Sequence, residues 1–126
     1  MLKILIADPD SASRKALALL ISRRLGISEA QQAEDSDALI RSLSADPPDI
    51  LLLDWSLYGA PVLETCQLLR RAYPELIIVL LSVDSQDSQA ACSVGATFIH
   101  KGARPEEVIT VLEEAIGKKI RNEQIL

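Results

Sequence analysis

Four short apolar runs in this chain each stop abruptly at a polar residue. Ile50-Leu51-Leu52-Leu53 ends at Asp54, Ile4-Leu5-Ile6-Ala7 at Asp8, Ile77-Ile78-Val79-Leu80-Leu81 at Ser82, and Phe98-Ile99-His100 at Lys101. Runs this short and continuous suit strands buried on both faces of a parallel sheet. Open α/β sheets bind and react just outside the carboxyl ends of their strands. Two carboxylates, a hydroxyl and an amine therefore converge on one edge of one sheet. Asp54 is the most telling of them, because the Trp55-Ser56-Leu57-Tyr58-Gly59 stretch after it does not read as a helix start and leaves no capping role for it.

Amphipathic stretches separate the runs, giving the βαβα rhythm of a parallel α/β domain. The expected elements are strand 1 over Leu2–Ala7, helix 1 over Ser11–Leu25 with Leu17, Leu20 and Ile21 inward, and helix 2 over Ser36–Leu43, broken by Pro47-Pro48. Strand 3 is expected over Ile50–Leu53, helix 3 over Pro61–Ala72, strand 4 over Leu76–Leu81, helix 4 over Ser85–Val94 and strand 5 over Thr97–His100. Glu29–Glu34 has poor strand propensity, and only its place between two helices makes it an edge strand. Helix 5 opens with Pro105, Glu106 and Glu107, which suit a helix start. Its stripe is Val108, Val111, Leu112, Ala115 and Ile116. Lys118–Leu126 reads either as a frayed tail or as continuing helix. The domain is expected to span 1–121, with 122–126 as a C-terminal tail.

The chain has 126 residues, 48 % hydrophobic and 25 % charged, about one ordinary domain. Aromatics make up 3 %, so Leu, Ile, Val and Ala must build the core. A net charge of -5 argues against direct binding of a phosphate backbone and suits a site that collects a divalent cation. Cys66 and Cys92 have no metal or CxxC spacing and read as free thiols. The first apolar run is too short for a membrane span or signal core, so the expected location is the cytoplasm, with no membrane contact.

Together, Ile-Leu-Ile-Ala-Asp, Pro-Asp-Ile-Leu-Leu-Leu-Asp-Trp-Ser-Leu-Tyr-Gly, Val-Leu-Leu-Ser-Val and Gly-Ala-Thr-Phe-Ile-His-Lys resemble a response-regulator receiver domain, of the kind that includes chemotaxis regulators. The resemblance covers essentially the whole chain. It implies a flavodoxin-like (βα)5 fold, a doubly wound parallel five-stranded sheet in the order 2-1-3-4-5. It also implies a two-component phosphorelay in which a histidine kinase or phosphotransfer protein supplies a phosphoryl group to Asp54. By the same resemblance Lys101 and Ser82 contact phosphoryl oxygens. Ser82 and Phe98 relay the change to a face of helix 4, strand 5 and helix 5, where a partner or second copy docks. Mg²⁺ is expected on Asp8, Asp54 and the Ser56 carbonyl, with Asp10 as a further possible ligand. Such a domain is not an enzyme in the ordinary sense, although it can catalyse its own phosphorylation and dephosphorylation.

Three positions depart from the family's pattern. Pro9 stands where a second acid usually follows Asp8, so Mg²⁺ binding should be weak, since affinity rises with ligand charge. Tyr58 replaces a usual proline. Lys101-Gly102 replaces a Lys-Pro step that is often cis. A cis bond before a non-proline residue costs roughly 3 kcal/mol, so trans is expected here. The incomplete acid pair keeps open a phosphorylation-independent pseudo-receiver. Asp8-Pro9-Asp10 also copies the D-x-D opening of haloacid-dehalogenase-type aspartyl phosphatases, but that reading leaves Asp54 unexplained. Asp8 and Asp10 each have a plain alternative as first-turn or capping carboxylates of helix 1.

Overall fold

A computed structural model of the chain describes residues 2–28, 30–57, 59 and 61–125. The apolar runs pair as parallel strands: β1 (Ile4–Ala7), β2 (Gln31–Ala33), β3 (Ile50–Asp54), β4 (Ile77–Ser82) and β5 (Thr97–His100). Their order across the sheet is β2-β1-β3-β4-β5. The helices between them are α1 (Ser11–Leu25), α2 (Ser36–Ala45), α3 (Val62–Ala72), α4 (Asp87–Ser93) and α5 (Pro105–Ile125). This is the doubly wound flavodoxin-like architecture expected from the sequence.

Alternation along the strands divides the core in two. Leu5, Leu51, Leu53, Ile78 and Leu80 pack with α2, α3 and α4 residues such as Leu39, Cys66 and Ala91. Ile4, Ile6, Ile50, Leu52 and Val79 pack with Ile21 of α1 and Leu112 of α5. A strand with helices on both faces needs no polar side, which is why β1 and β3 are buried at every position.

The differences from expectation lie at element ends. β1 starts at Ile4, and Leu2 packs against the α1–α5 side ahead of it. The weak Glu29–Glu34 segment yields three strand residues, Gln31 and Gln32 exposed and Ala33 buried, paired to β1. Pairing overrides its poor propensity. Glu29 and Tyr58 lie outside the described residues. α2 runs to Ala45, with Asp46 as its C-cap before the proline pair. Pro61 caps α3 rather than opening it. β4 is shifted one residue, so Ser82 is its last member, opposite His100. α4 is shorter than expected, because Asp84 to Gln86 form a turn ahead of it.

α5 continues without a break through 121 as far as Ile125. Ile109, outside the expected stripe, is buried on it, and Lys119 extends the stripe. The Lys119 ammonium reaches the Glu75 carbonyl at 3.2 Å and Asp49 at 3.7 Å, pinning α5 to the base of the sheet.

Candidate functional site

The ladder extends past the strand ends and fixes where the four polar residues stand. The backbone N–H of Asp8 donates to Ala33 O at 3.0 Å, that of Trp55 to Leu81 O at 2.8 Å, and that of Lys101 to Ser82 O at 2.8 Å. Asp54 is the final residue of β3 and lies opposite Leu81. Asp8, Asp54 and Ser82 are all buried polar residues, at 6 %, 3 % and 4 % exposure.

Lys101 joins the two acids. Its ammonium lies 2.9 Å from Oδ2 of Asp8 and 2.7 Å from Oδ1 of Asp54. The contact with Asp8 is a directed hydrogen bond. Oδ1 of Asp54 is different, since it is the one buried side-chain oxygen among the described residues without a hydrogen-bond partner. The short ion pair and the missing hydrogen bond are compatible, because charge attraction is less directional than hydrogen bonding. Oδ1 is held by the Lys101 ammonium in a short, poorly directed contact. Burial by itself would lower the Lys101 pKa. Its contacts with Asp54 and Asp8 outweigh that and raise it above the ordinary 10.5.

The second oxygen of Asp54 is fully engaged. Oδ2 accepts from the backbone N–H of Ser56 at 3.0 Å and from the Ser56 hydroxyl. Only the Ser56 carbonyl figures in the reading from sequence; its hydroxyl, two residues past the acid, was a missed contributor. Beyond it, Gly59 has φ +116°, and a Cβ there would stand 2.8 Å from Cβ of Ser36, so the loop after Asp54 requires glycine.

Asp8 and Asp10 divide their work. Asp8 accepts the Asp10 N–H on Oδ1 at 2.8 Å, leaving Oδ2 for Lys101. Asp10 is the N-cap of α1, accepting from the Ala12 N–H at 3.0 Å and the Ser13 hydroxyl at 3.0 Å. The capping role therefore belongs to Asp10 and not to Asp8. Ser13 and the Ala12 N–H hold the Asp10 carboxyl below its ordinary 3.8. The D-x-D opening thus sends one acid into the site and one onto a helix end.

Ser82 lies at the same sheet edge, but its hydroxyl donates elsewhere, to Oδ2 of Asp87 at 2.6 Å, and accepts the Asp84 N–H at 3.1 Å. Asp87 was not singled out from sequence, where it falls within the expected helix 4. Phe98 is half-buried against the α2–α3–α4 side of the core. The Lys101–Gly102 peptide is trans. The Gly102 N–H donates to Nδ1 of His100 at 2.9 Å, and Nε2 of His100 lies 2.9 Å from the Val83 carbonyl. That network assigns the proton to Nε2 and straps the two loops beside Ser82 and Lys101 together. Proline at 102 could not donate that bond.

The donor set bears on metal binding. Among the described residues no three His, Cys, Asp or Glu side chains are grouped to hold a metal ion. Asp8 and Asp54 supply two hard carboxylates, one with an oxygen free of hydrogen bonds. Mg²⁺ commonly uses one or two carboxylates and keeps its waters. The residues therefore fit a loosely held Mg²⁺ in competition with the Lys101 ammonium, and not a tight three-carboxylate site.

A family model described as the response regulator receiver domain matches residues 4–113. The chain is 23 % identical over 129 residues to the response regulator GacA of Pseudomonas aeruginosa, covering 99 % of this chain and 60 % of that one. It is 27 % identical over 121 residues to the phosphate regulon transcriptional regulatory protein PhoB of Klebsiella pneumoniae, covering 92 % and 52 %. It thus spans about half the length of the curated relatives it matches. Among solved structures, NtrX of Brucella abortus superposes with a TM-score of 0.88 at 24 % identity, over 99 % of this chain and 29 % of that one. A CheY-like receiver domain protein of Methanospirillum hungatei gives 0.85 at 16 % identity, over 97 % and 98 %.

Proposed function

This chain belongs to the response regulator receiver domain family, a signalling domain of two-component systems, and from that premise we propose that Asp54 accepts a phosphoryl group from a histidine kinase or a phosphotransfer protein. The observation that carries the proposal is Oδ1 of Asp54: buried, free of hydrogen bonds, and beside a lysine ammonium. A carboxylate oxygen of Asp54 attacks phosphorus. The P–N bond of the donor phosphohistidine breaks, and its imidazole nitrogen leaves and takes up a proton. The product is an acyl phosphate on Asp54. Return of the site follows when water attacks phosphorus and releases inorganic phosphate with the carboxylate restored.

Such transfer relies on positioning and charge. Lys101 stays between the acids and pairs with a phosphoryl oxygen, while the Ser82 hydroxyl swings to another. Ser56 keeps Oδ2 of Asp54 oriented. Asp8, Asp54 and the Ser56 carbonyl would hold Mg²⁺, which when bound supplies positive charge to the phosphoryl oxygens.

Movement of Ser82 leaves room for Phe98 to turn inward and alters the face of α4, β5 and α5. That face is where a partner or a second copy of this chain docks. No helix among the described residues is long and apolar enough to cross a membrane. The net charge of -5 disfavours direct contact with a nucleic-acid backbone, and the proposed kinase partner implies a cytoplasmic setting.

The test is incubation with a small phosphodonor, with and without Mg²⁺. One phosphoryl group is expected on the wild-type chain and none on Asp54→Asn. Labelling that survives Asp54→Asn but not Asp8→Asn would indicate a phosphatase-type nucleophile. No labelling under any condition would indicate a phosphate-independent docking module.

A further inference from the structure

The Ser82 hydroxyl has one hydrogen to donate, and in this structure it donates it to Asp87. The donor–acceptor distance of 2.6 Å is that of a charge-assisted hydrogen bond to a carboxylate. A hydroxyl can donate to one strong acceptor at a time. A phosphoryl oxygen on Asp54 and the carboxylate of Asp87 therefore compete for the same proton. We propose that Asp87 is a latch on Ser82, withholding its hydroxyl from the Asp54 site until a phosphoryl group takes it, and so tying occupancy of that site to the start of α4.

Three further observations support the latch. α4 begins without a side-chain cap, since Gln86 makes no capping hydrogen bond. The side-chain ties at that helix start are the Ser82–Asp87 bond and Oδ1 of Asp84, which accepts the Gln86 N–H at 2.9 Å. The Asp84 N–H also rests on the Ser82 oxygen, so two residues of the turn, Asp84 and Asp87, meet at one hydroxyl. Ser82 is 4 % exposed, so water does not readily replace either partner. When the hydroxyl swings away, both the Asp84 and the Asp87 contacts must be remade, and the first turn of the seven-residue α4 loses one of its side-chain ties. Asp87 makes no hydrogen bond or ion pair with Asp54 or Lys101, which makes it a positioning residue. Its effect is to lower the fraction of chains competent to hold a phosphoryl group, and competence limits apparent affinity in direct proportion.

The latch rests on the phospho-acceptor reading of Asp54, and the experiment separates the two. Labelling rates with phosphoramidate and Mg²⁺ are compared for the wild-type chain, Asp87→Ala, Asp87→Asn, Ser82→Ala and Ser82→Ala/Asp87→Ala, with folding checked by thermal unfolding. The latch predicts a gain of about tenfold for Asp87→Ala, the scale of one charge-assisted hydrogen bond. Asp87→Asn, which keeps an uncharged acceptor, should fall between the wild type and Asp87→Ala. Adding Asp87→Ala to Ser82→Ala should give no gain. In the free protein, amide exchange at Asp84 should quicken most in Ser82→Ala, which removes its acceptor, less in Asp87→Ala, and no further in the double variant than in Ser82→Ala, a non-additivity that marks a shared bond. A gain of the same size on the Ser82→Ala background would show plain charge repulsion and overturn the latch. So would a labelled wild type with no gain in Asp87→Ala. A wild type that takes no label overturns the phospho-acceptor reading and the competition with it.

Discussion

The ammonium of Lys101 stands 2.7 Å from Oδ1 of Asp54, an oxygen with no hydrogen bond of its own. The two residues come from the ends of different strands, 47 positions apart in sequence (101 − 54), and Asp8 shares the same ammonium at 2.9 Å. Lys101→Met would leave two buried carboxylates facing each other. The side chain of Lys101 is 23 % exposed, so the loss is expected between that of an exposed and a buried pair, about 1–2 kcal/mol in denaturant unfolding. Because the folded-state pKa of Lys101 is raised, its stabilisation is fully present below the unfolded value of 10.5 and is lost as pH rises through the folded value. Wild-type stability should decline in that alkaline range, and Lys101→Met should remove this part of the decline.

Asp10 and Mg²⁺ can be separated by one titration. Trp55 adjoins Asp54, the proposed phospho-acceptor, in sequence, so its fluorescence should follow Mg²⁺ binding, with a midpoint on the order of millimolar for two carboxylates. Asp10→Ala should leave that midpoint unchanged while lowering the thermal stability of the fold through loss of the α1 cap. Pro9→Asp should tighten it. A low-micromolar midpoint that Asp10→Ala weakens would put Asp10 among the ligands.

Beryllofluoride, which mimics a bound phosphoryl group, should redistribute amide protection over Ser82–Val94 and around Phe98. The short α4 contributes Ala91 to the buried core, with Val94 just beyond it, so little packing opposes its movement. Binding of the mimic with protection unchanged on that face would contradict the switch.

The two cysteines should react very differently. Cys92 is exposed, whereas Cys66 is buried and burial pushes its thiol up to about 11, against a smaller opposite pull from Arg70. A thiol reagent near neutral pH should modify Cys92 promptly and Cys66 only on unfolding, as read by peptide mass spectrometry.

What was legible in the sequence was the set of abrupt strand exits. A strand buried on both faces must be apolar throughout, so Asp8, Asp54 and Ser82 stood out where those runs stopped. The order of the sheet and the roles at its edge came from the resemblance those exits support. Gln31–Ala33 was nearly illegible, because an edge strand is stabilised by its neighbour and not by its own residues. The capping split between Asp8 and Asp10 was also hidden. Either carboxylate could start α1, and three-dimensional contact with Lys101 decides which one does not. Asp87 and the Ser56 hydroxyl escaped because polar residues in a loop look alike until a partner is known. The strap that His100 makes between Val83 and Gly102 left no trace in spacing.

The most direct measurement of the central claim is chemical trapping of the acceptor. Borohydride reduces an aspartyl phosphate to homoserine and leaves free carboxylates intact. After incubation with a small phosphodonor and Mg²⁺, reduction and peptide mass spectrometry should find homoserine at position 54 and at no other aspartate. Homoserine at position 8, or unmodified aspartate at 54 in a chain shown to carry phosphate, would contradict the account.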